Sequence, residues 1–314
     1  LGKIYELSSS KNSANYSSRK SLRKTKETGK SYWLAARAAS TSESPEALLK
    51  KSLRVRFPIK KIYYGPTTHI LLQNNSIYKI ENDSLIEIKV PLPIQAEILT
   101  INSQGIWYQR PERDSLFFKP IHPKTPLTSF KVEGTKSLFM HNSEAVAMSA
   151  RTLTILNKKG IRAEVTEKYN NCKIEGFYGT TGHYVLNCPD NALHFISPTD
   201  GSETYSISLF DAIAHVLIIK KNIYLVSGNT LFCYQPKMQF SPLWKLPYNN
   251  VDEICAFEDN IAVLEASGKV SLVDEDRGIQ KATVRSDASS IAPLSQGTLG
   301  LFSHEGSLSV VGTV

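Results

Sequence analysis

Ile59-Lys60-Lys61-Ile62-Tyr63-Tyr64, His69-Ile70-Leu71-Leu72-Gln73, Ser76-Ile77-Tyr78-Lys79-Ile80 and Ser84-Leu85-Ile86-Glu87-Ile88-Lys89-Val90 are four short apolar-rich runs separated by Gly, Pro, Asn and Asp. Each is too short for a stable helix, and each is bounded by turn residues, so the stretch reads as four consecutive strands. The unit then recurs. A second copy reads Ile94 to Ile101, Gly105 to Gln109, Ser115 to Lys119 and Leu127 to Val132. Further copies run from Lys136 to Val165, Asn171 to Leu209, Ala212 to Leu246 and Val251 to Val284. First strands begin near 59, 94, 136, 171, 212, 251 and 288, at steps of 35 to 42 residues.

Four strands recurring at about 40 residues are the pattern of radially repeated blades, an arrangement in which a long all-β chain leaves few open edges. The ends set the number of copies. After residue 288 only three strands remain, Ser290 to Leu294, Thr298 to Phe302 and Ser307 to Val311. Leu53-Arg54-Val55-Arg56-Phe57 alternates like a strand and has no partner in its own unit. Placed as the missing outer strand of the seventh unit, it covers an edge that would otherwise template aggregation. The expectation is therefore an all-β, seven-bladed β-propeller of four-stranded blades over residues 52–314, closed by an N-terminal strand.

This arrangement resembles the WD40-like β-propeller superfamily, including its interlocked last blade. The resemblance is one of architecture, because Gly182-His183 is the one Gly-His pair and no Trp precedes Asp. Substitutes recur at the hairpin between second and third strands: Asn75-Ser76-Ile77-Tyr78, Asn191-Ala192-Leu193-His194, Asn229-Thr230-Leu231-Phe232, Gly268-Lys269-Val270-Ser271 and Gly306-Ser307-Leu308-Ser309. Asn and Gly there supply the positive φ of a tight turn. Quinoprotein-like propellers share the look, but Trp33, Trp107 and Trp244 do not recur at blade spacing, and Ser103-Gln104-Gly105-Ile106-Trp107 is a single sensor-type match. The resemblance implies a scaffold for protein partners.

Residues 1–51 form a distinct basic arm. Residues 1–61 carry a net charge of +11, so the remainder is −3 and the overall +8 belongs to the N-terminal segment. Arg19, Lys20, Arg23, Lys24 and Lys26 fall within nine positions, dense enough to attract an acidic protein surface or a nucleic-acid backbone. The same run reads as a solvated tail, a nuclear localisation patch or, through Ser18 and Ser21, a phosphorylation-sensitive one. Residues 1–30 lack the apolar side chains needed to offset ordering entropy. Short helices are expected near 32–39 and 45–51, with Trp33, Leu48 and Leu49 packing against a groove or a partner. A chain that begins at Leu1 without an apolar leader is consistent with a processed product or a fragment.

Chemistry is harder to find. The seven histidines are scattered along the chain, and no Gly-x-Ser-x-Gly elbow, HExxH, HxH or phosphate-cradling loop occurs. No catalytic residue, metal, cofactor or small-molecule substrate is expected, and no apolar run is long enough to span a bilayer. A channel-site hydrolase or lactonase, built from carboxylates of several blades, would be invisible to local motifs and stands as an alternative. So does a nucleic-acid-associated assembly factor that uses the arm. Cys172, Cys188, Cys233 and Cys255 lie in apolar strand patterns without CxxC spacing, as buried thiols of an intracellular protein, cytoplasmic or nuclear. Cys172 and Cys188 flank the turn Gly179-Thr180-Thr181-Gly182 and can alternatively face each other as a disulfide. Partner contacts are expected on rim loops: Arg110-Pro111-Glu112-Arg113-Asp114, with Arg110 and Arg113 as contact residues, Pro120 to Lys124, and Tyr234 to Phe240.

Overall fold

The computed structural model describes residues 48–312 except 56, 64–66, 82–83, 94, 113, 122–125, 143, 158–159, 237–240 and 295–296, with side chains from 55 onward. The arm cluster Arg19, Lys20, Arg23, Lys24 and Lys26, Trp33 with the helix expected near 32–39, and Arg113 lie outside the described residues. No helix of the described residues is long and apolar enough to cross a membrane.

Seven four-stranded antiparallel sheets follow one another along the chain. Blade one contains β2 (Ile59–Tyr63), β3 (His69–Leu72), β4 (Ile77–Glu81) and β5 (Ser84–Ile88), after a first strand β1 (Leu48–Arg54). Blade two contains β6 (Glu97–Ile101), β7 (Gly105–Gln109), β8 (Leu116–Pro120) and β9 (Thr128–Phe130). Blade three contains β10 (Ser137–His141), β11 (Glu144–Met148), β12 (Thr152–Asn157) and β13 (Gly160–Thr166). Blade four contains β14 (Lys173–Tyr178), β15 (His183–Cys188), β16 (Ala192–Ile196) and β17 (Glu203–Ser208). Blade five contains β18 (Ile213–Ile219), β19 (Asn222–Ser227), β20 (Thr230–Tyr234) and β21 (Trp244–Pro247). Blade six contains β22 (Val251–Phe257), β23 (Asn260–Glu265), β24 (Lys269–Asp274) and β25 (Gln280–Arg285). Blade seven is β26 (Ser290–Leu294), β27 (Thr298–Phe302), β28 (Ser307–Gly312) and, as outer strand, β1.

The strand pattern follows from burial. Second strands such as β3, β7, β19, β23 and β27 are buried at every position, which is why they read as continuous apolar runs. Outer strands β5, β9 and β21 contain no buried residue and alternate with polar side chains. The turn chemistry holds at Asn75, Asn191, Gly268 and Gly306, all at positive φ, while in blade five Gly228 rather than Asn229 carries it.

The closing strand is the main correction. Sequence placed it at 53–57 and a helix over 45–51; the backbone is strand from Leu48, pairing Leu48 with Gly312 and Arg54 with Ser307, with a bulge between Leu49 and Lys51. A seven-residue helix is marginal alone, whereas the open edge of β28 offers a ready ladder. Val55 extends the ladder through its N–H to Gly306 O at 2.8 Å. Gly306 sits close enough that a Cβ would meet Phe57 O at 2.9 Å, so this turn needs glycine.

The chain divides into two compact units, one of residues up to 89 with 248–314 and one of residues 90–247. In the first, Val55, Ile70, Leu72, Phe302 and Leu308 share a core, and Glu253 accepts bonds from the Ile291 N–H (2.7 Å) and the Ser290 hydroxyl (2.5 Å). In the second, Leu116, Ala147 and Leu156 pack with Trp107, whose ring lies 4.9 Å from Phe118 and 5.7 Å from Phe130. Trp107 is thus a core ring. Cys233 and Cys255 are buried thiols as expected, but Cys172 and Cys188 form a disulfide. A bulge between Ile174 and Gly176 shifts the β14–β15 register so that Lys173 pairs with Asn187, and the next pair out is Cys172 with Cys188.

Candidate functional site

In a four-stranded meander the turn between second and third strands and the linker to the next blade emerge at the same end, because alternate strands are antiparallel. In the unit of residues 90–247 this linker face gathers the turns after β7, β11, β15 and β19 and the linkers after β9, β13 and β17. Of the loops singled out in the sequence, Arg110, Pro111, Glu112 and Asp114 are on the linker face, whereas β8 and β20 end at the opposite one with Pro120 and Tyr234. Residues 122–124 and 237–240 of those loops lie outside the described residues.

The linker face holds a cleft of about 590 Å³ lined by Lys131, Glu133, Arg151, Thr154 and Glu164, with Val132, Gly134, Ser149, Ala150 and Thr152. Its lining comes from the β9–β10 linker and the β11–β12 turn, with Thr152 and Thr154 of β12 and Glu164 of β13. Ser149 Oγ accepts the N–H of Thr152 at 2.9 Å and closes the turn, while the buried Gln109 anchors the linker by donating to Thr135 O at 2.6 Å. Side chains of both charges line the cleft.

Hydrogen bonds carry this surface onward into blade four. Glu167 N–H donates to Arg151 O (2.7 Å) and Asn171 N–H to Ala150 O (2.8 Å), fixing the β13–β14 linker against the cleft turn. That linker ends at Cys172, whose disulfide joins it to Cys188 at the end of β15. Asp190 and Asn191 follow in the β15–β16 turn. Asn191 O accepts the Leu209 N–H at 2.9 Å and its amide donates to Phe210 O at 3.3 Å. The Phe210 backbone is held at both neighbours while its side chain is 98% exposed, an unusual state for so large an apolar ring.

Several titratable groups among the described residues have defined surroundings. His69 is buried, and desolvation lowers its pKa. His141 stacks on Phe177 at 3.8 Å. His194 Nε2 lies 2.9 Å from Asp190 Oδ2, and its Nδ1 is 3.2 Å from Glu203 Oε1. Beside it, burial with Glu203 and Asp200 nearby pushes the Tyr169 phenol up to about 12, so it stays a donor to Gly201 O at 2.9 Å.

Of the residues nominated from sequence, Arg110 is exposed on the linker face with its guanidinium 4.5 Å from the Phe117 ring centre. Leu48 and Leu49 lie on β1, where the backbone alone is described. Phe210, the cleft and the Cys188–Asp190–His194 group were missed. The first would have shown only as an aromatic ring in a linker, Leu209-Phe210-Asp211.

No family model matches the chain, and no curated protein matches its sequence. Solved structures do. The WD40 β-propeller domain of Doa1 aligns with a TM-score of 0.63 at 10% identity, over 87% of this chain and 97% of that one. A chain of the mitotic checkpoint complex aligns with a TM-score of 0.67 at 8% identity, over 90% and 98%. Identity this low specifies architecture and not partners, and 1368 chains match the structure. By blade count, strand order and these alignments, the chain has the fold of a WD40-like seven-bladed β-propeller.

Proposed function

We propose that the chain is an interaction scaffold, a subunit that binds a partner protein across the linker face of residues 90–247. The observation that carries this reading is the fixed, 98% exposed Phe210 on the face that also holds the cleft of Lys131, Glu133, Arg151 and Glu164. Aromatic anchors beside polar, orientation-setting groups are the usual composition of binding hot spots. An extended segment carrying both charges fits the cleft, and the basic arm adds a long-range electrostatic contribution to encounter.

Capture of partners by the full chain, compared with Phe210→Ala and Arg151→Glu variants, tests the reading. Loss of a hot-spot aromatic costs at least about 2 kcal/mol, or roughly 30-fold in affinity. Retention of every partner by the double variant would remove the linker face from the account.

The segregation of charge, +11 in residues 1–61 against −3 elsewhere, favours one second reading: that the arm contacts a nucleic acid while the propeller holds protein. Binding to nucleic acid that falls steeply with salt, and loses that dependence when residues 1–30 are removed, would support it. A channel-site enzyme has less behind it: among the described residues the one close group of three metal-ligating side chains is Cys188, Asp190 and His194, within a single blade.

A further inference from the structure

The geometry around Cys188 points to a zinc site that the disulfide masks: we propose that, once the Cys172–Cys188 bond is reduced, both thiolates, His194 and Asp190 hold one Zn²⁺. Cys188, Asp190 and His194 already present ligand atoms within 4.8 Å of one another, and Cys172 Sγ is joined to the first of them. Tetrahedral zinc needs bonds of about 2.0 to 2.3 Å, so small side-chain rotations suffice. Two thiolates with an imidazole are a soft to borderline donor set that selects zinc over calcium or magnesium.

The imidazole is already oriented for this task. Ala192 N–H donates to Asp190 Oδ1 at 3.2 Å, leaving Oδ2 turned to His194 Nε2 at 2.9 Å. The other ring nitrogen lies 3.2 Å from Glu203 Oε1. Zinc binding at Nε2 would need the ring proton on Nδ1, the side that Glu203 Oε1 faces as the outer carboxylate. Cys172 and Cys188 are 5% and 8% exposed and Tyr169 is 2% exposed, so the ion would sit at a shielded edge with Asp190 facing water. No other soft donor competes: Cys233 and Cys255 are buried in separate strands, and residues 1–47 contain neither Cys nor His.

The exchange balances with a dithiol reductant. Two electrons break the S–S bond, two protons cap the sulfurs, and the reductant becomes a disulfide. Zinc then forms two Zn–S bonds and releases both thiol protons to water. Oxidation reverses the sequence and expels the ion, so disulfide and metal exclude each other.

The test uses the full chain, reduced with a phosphine or left oxidised, titrated with zinc against a chromogenic chelator and separately with Co²⁺. The reduced chain is expected to take up one equivalent, with a thiolate-to-cobalt charge-transfer band and tetrahedral d–d absorption. The oxidised chain should bind at least about 100-fold more weakly, since losing an outer carboxylate alone costs about 10- to 100-fold. Glu203→Gln should weaken binding by that smaller factor and keep the cobalt band; His194→Gln should alter the band itself. A folded, reduced chain that takes up no zinc overturns the proposal. So does equal uptake by the oxidised chain or by the Cys172→Ser, Cys188→Ser double variant.

Discussion

Replacing Gln109 tests whether the cleft wall is held from beneath. Gln109 is 1% exposed in β7; its amide donates to Thr135 O at 2.6 Å and lies 3.3 Å from Glu97 Oε2. Thr135 is also 1% exposed and follows the linker residues Lys131 to Gly134 that line the cleft. Gln109→Ala removes the donor to a buried carbonyl, which costs about 1 to 3 kcal/mol. It also removes the Cγ methylene, worth about 0.8 kcal/mol. The sum is about 2 to 4 kcal/mol. Gln109→Leu keeps the volume and also removes Oε1, which is buried without a hydrogen-bond partner among the described residues, so its cost should be about 1 to 2 kcal/mol. Urea unfolding followed by circular dichroism measures both, and partner capture by the Ala variant should weaken because the cleft wall loses its anchor. A Gln109→Ala midpoint equivalent to less than about 0.5 kcal/mol, or a Leu variant less stable than the Ala variant, would refute the reasoning.

A chain of residues 56–314 lacks β1, exposes the edge of β28, and should melt lower than a chain of residues 48–314 or aggregate on heating. Gly268→Ala should destabilise by about 2 kcal/mol or more, read from urea unfolding, because φ is +75° and the added Cβ would stand 2.1 Å from Ser286 O. Gly179→Ala, with nothing within 4 Å, is the neutral control. Phe210→Ala should change unfolding by no more than about 0.5 kcal/mol while partner capture falls, which separates binding from stability. Replacing Arg19, Lys20, Arg23, Lys24 and Lys26 with Gln should weaken binding to an acidic partner at low salt and leave melting unaltered; unchanged affinity at low salt would remove the arm from that role.

The blades were legible because their signal is local and repeated. Most second strands are buried throughout and outer strands such as β5 are half polar, so the apolar rhythm of Ile70-Leu71-Leu72 or Ile261-Ala262-Val263-Leu264 carries the fold within a few residues. The closing strand was legible as a need and not as a register. Three strands after residue 288 required a fourth, but what aligns Leu48 with Gly312 is the edge of β28, and nothing in Leu48-Leu49-Lys50-Lys51 separates a strand from a short helix until that edge is present. The same reason hid the site. Cys172 and Cys188 are symmetric only through the bulge after Ile174, and His194 meets Asp190 and Glu203 because β16 pairs with β17 on one side and the Asp190 turn folds over it on the other. Residues spaced as Cys188, Asp190, His194 and Glu203 form no linear motif; antiparallel pairing converts that spacing into proximity. Sites of this kind in repeated β-folds should be sought by aligning hairpin registers, since each pairing brings chemistry together across a turn that a linear pattern reads past.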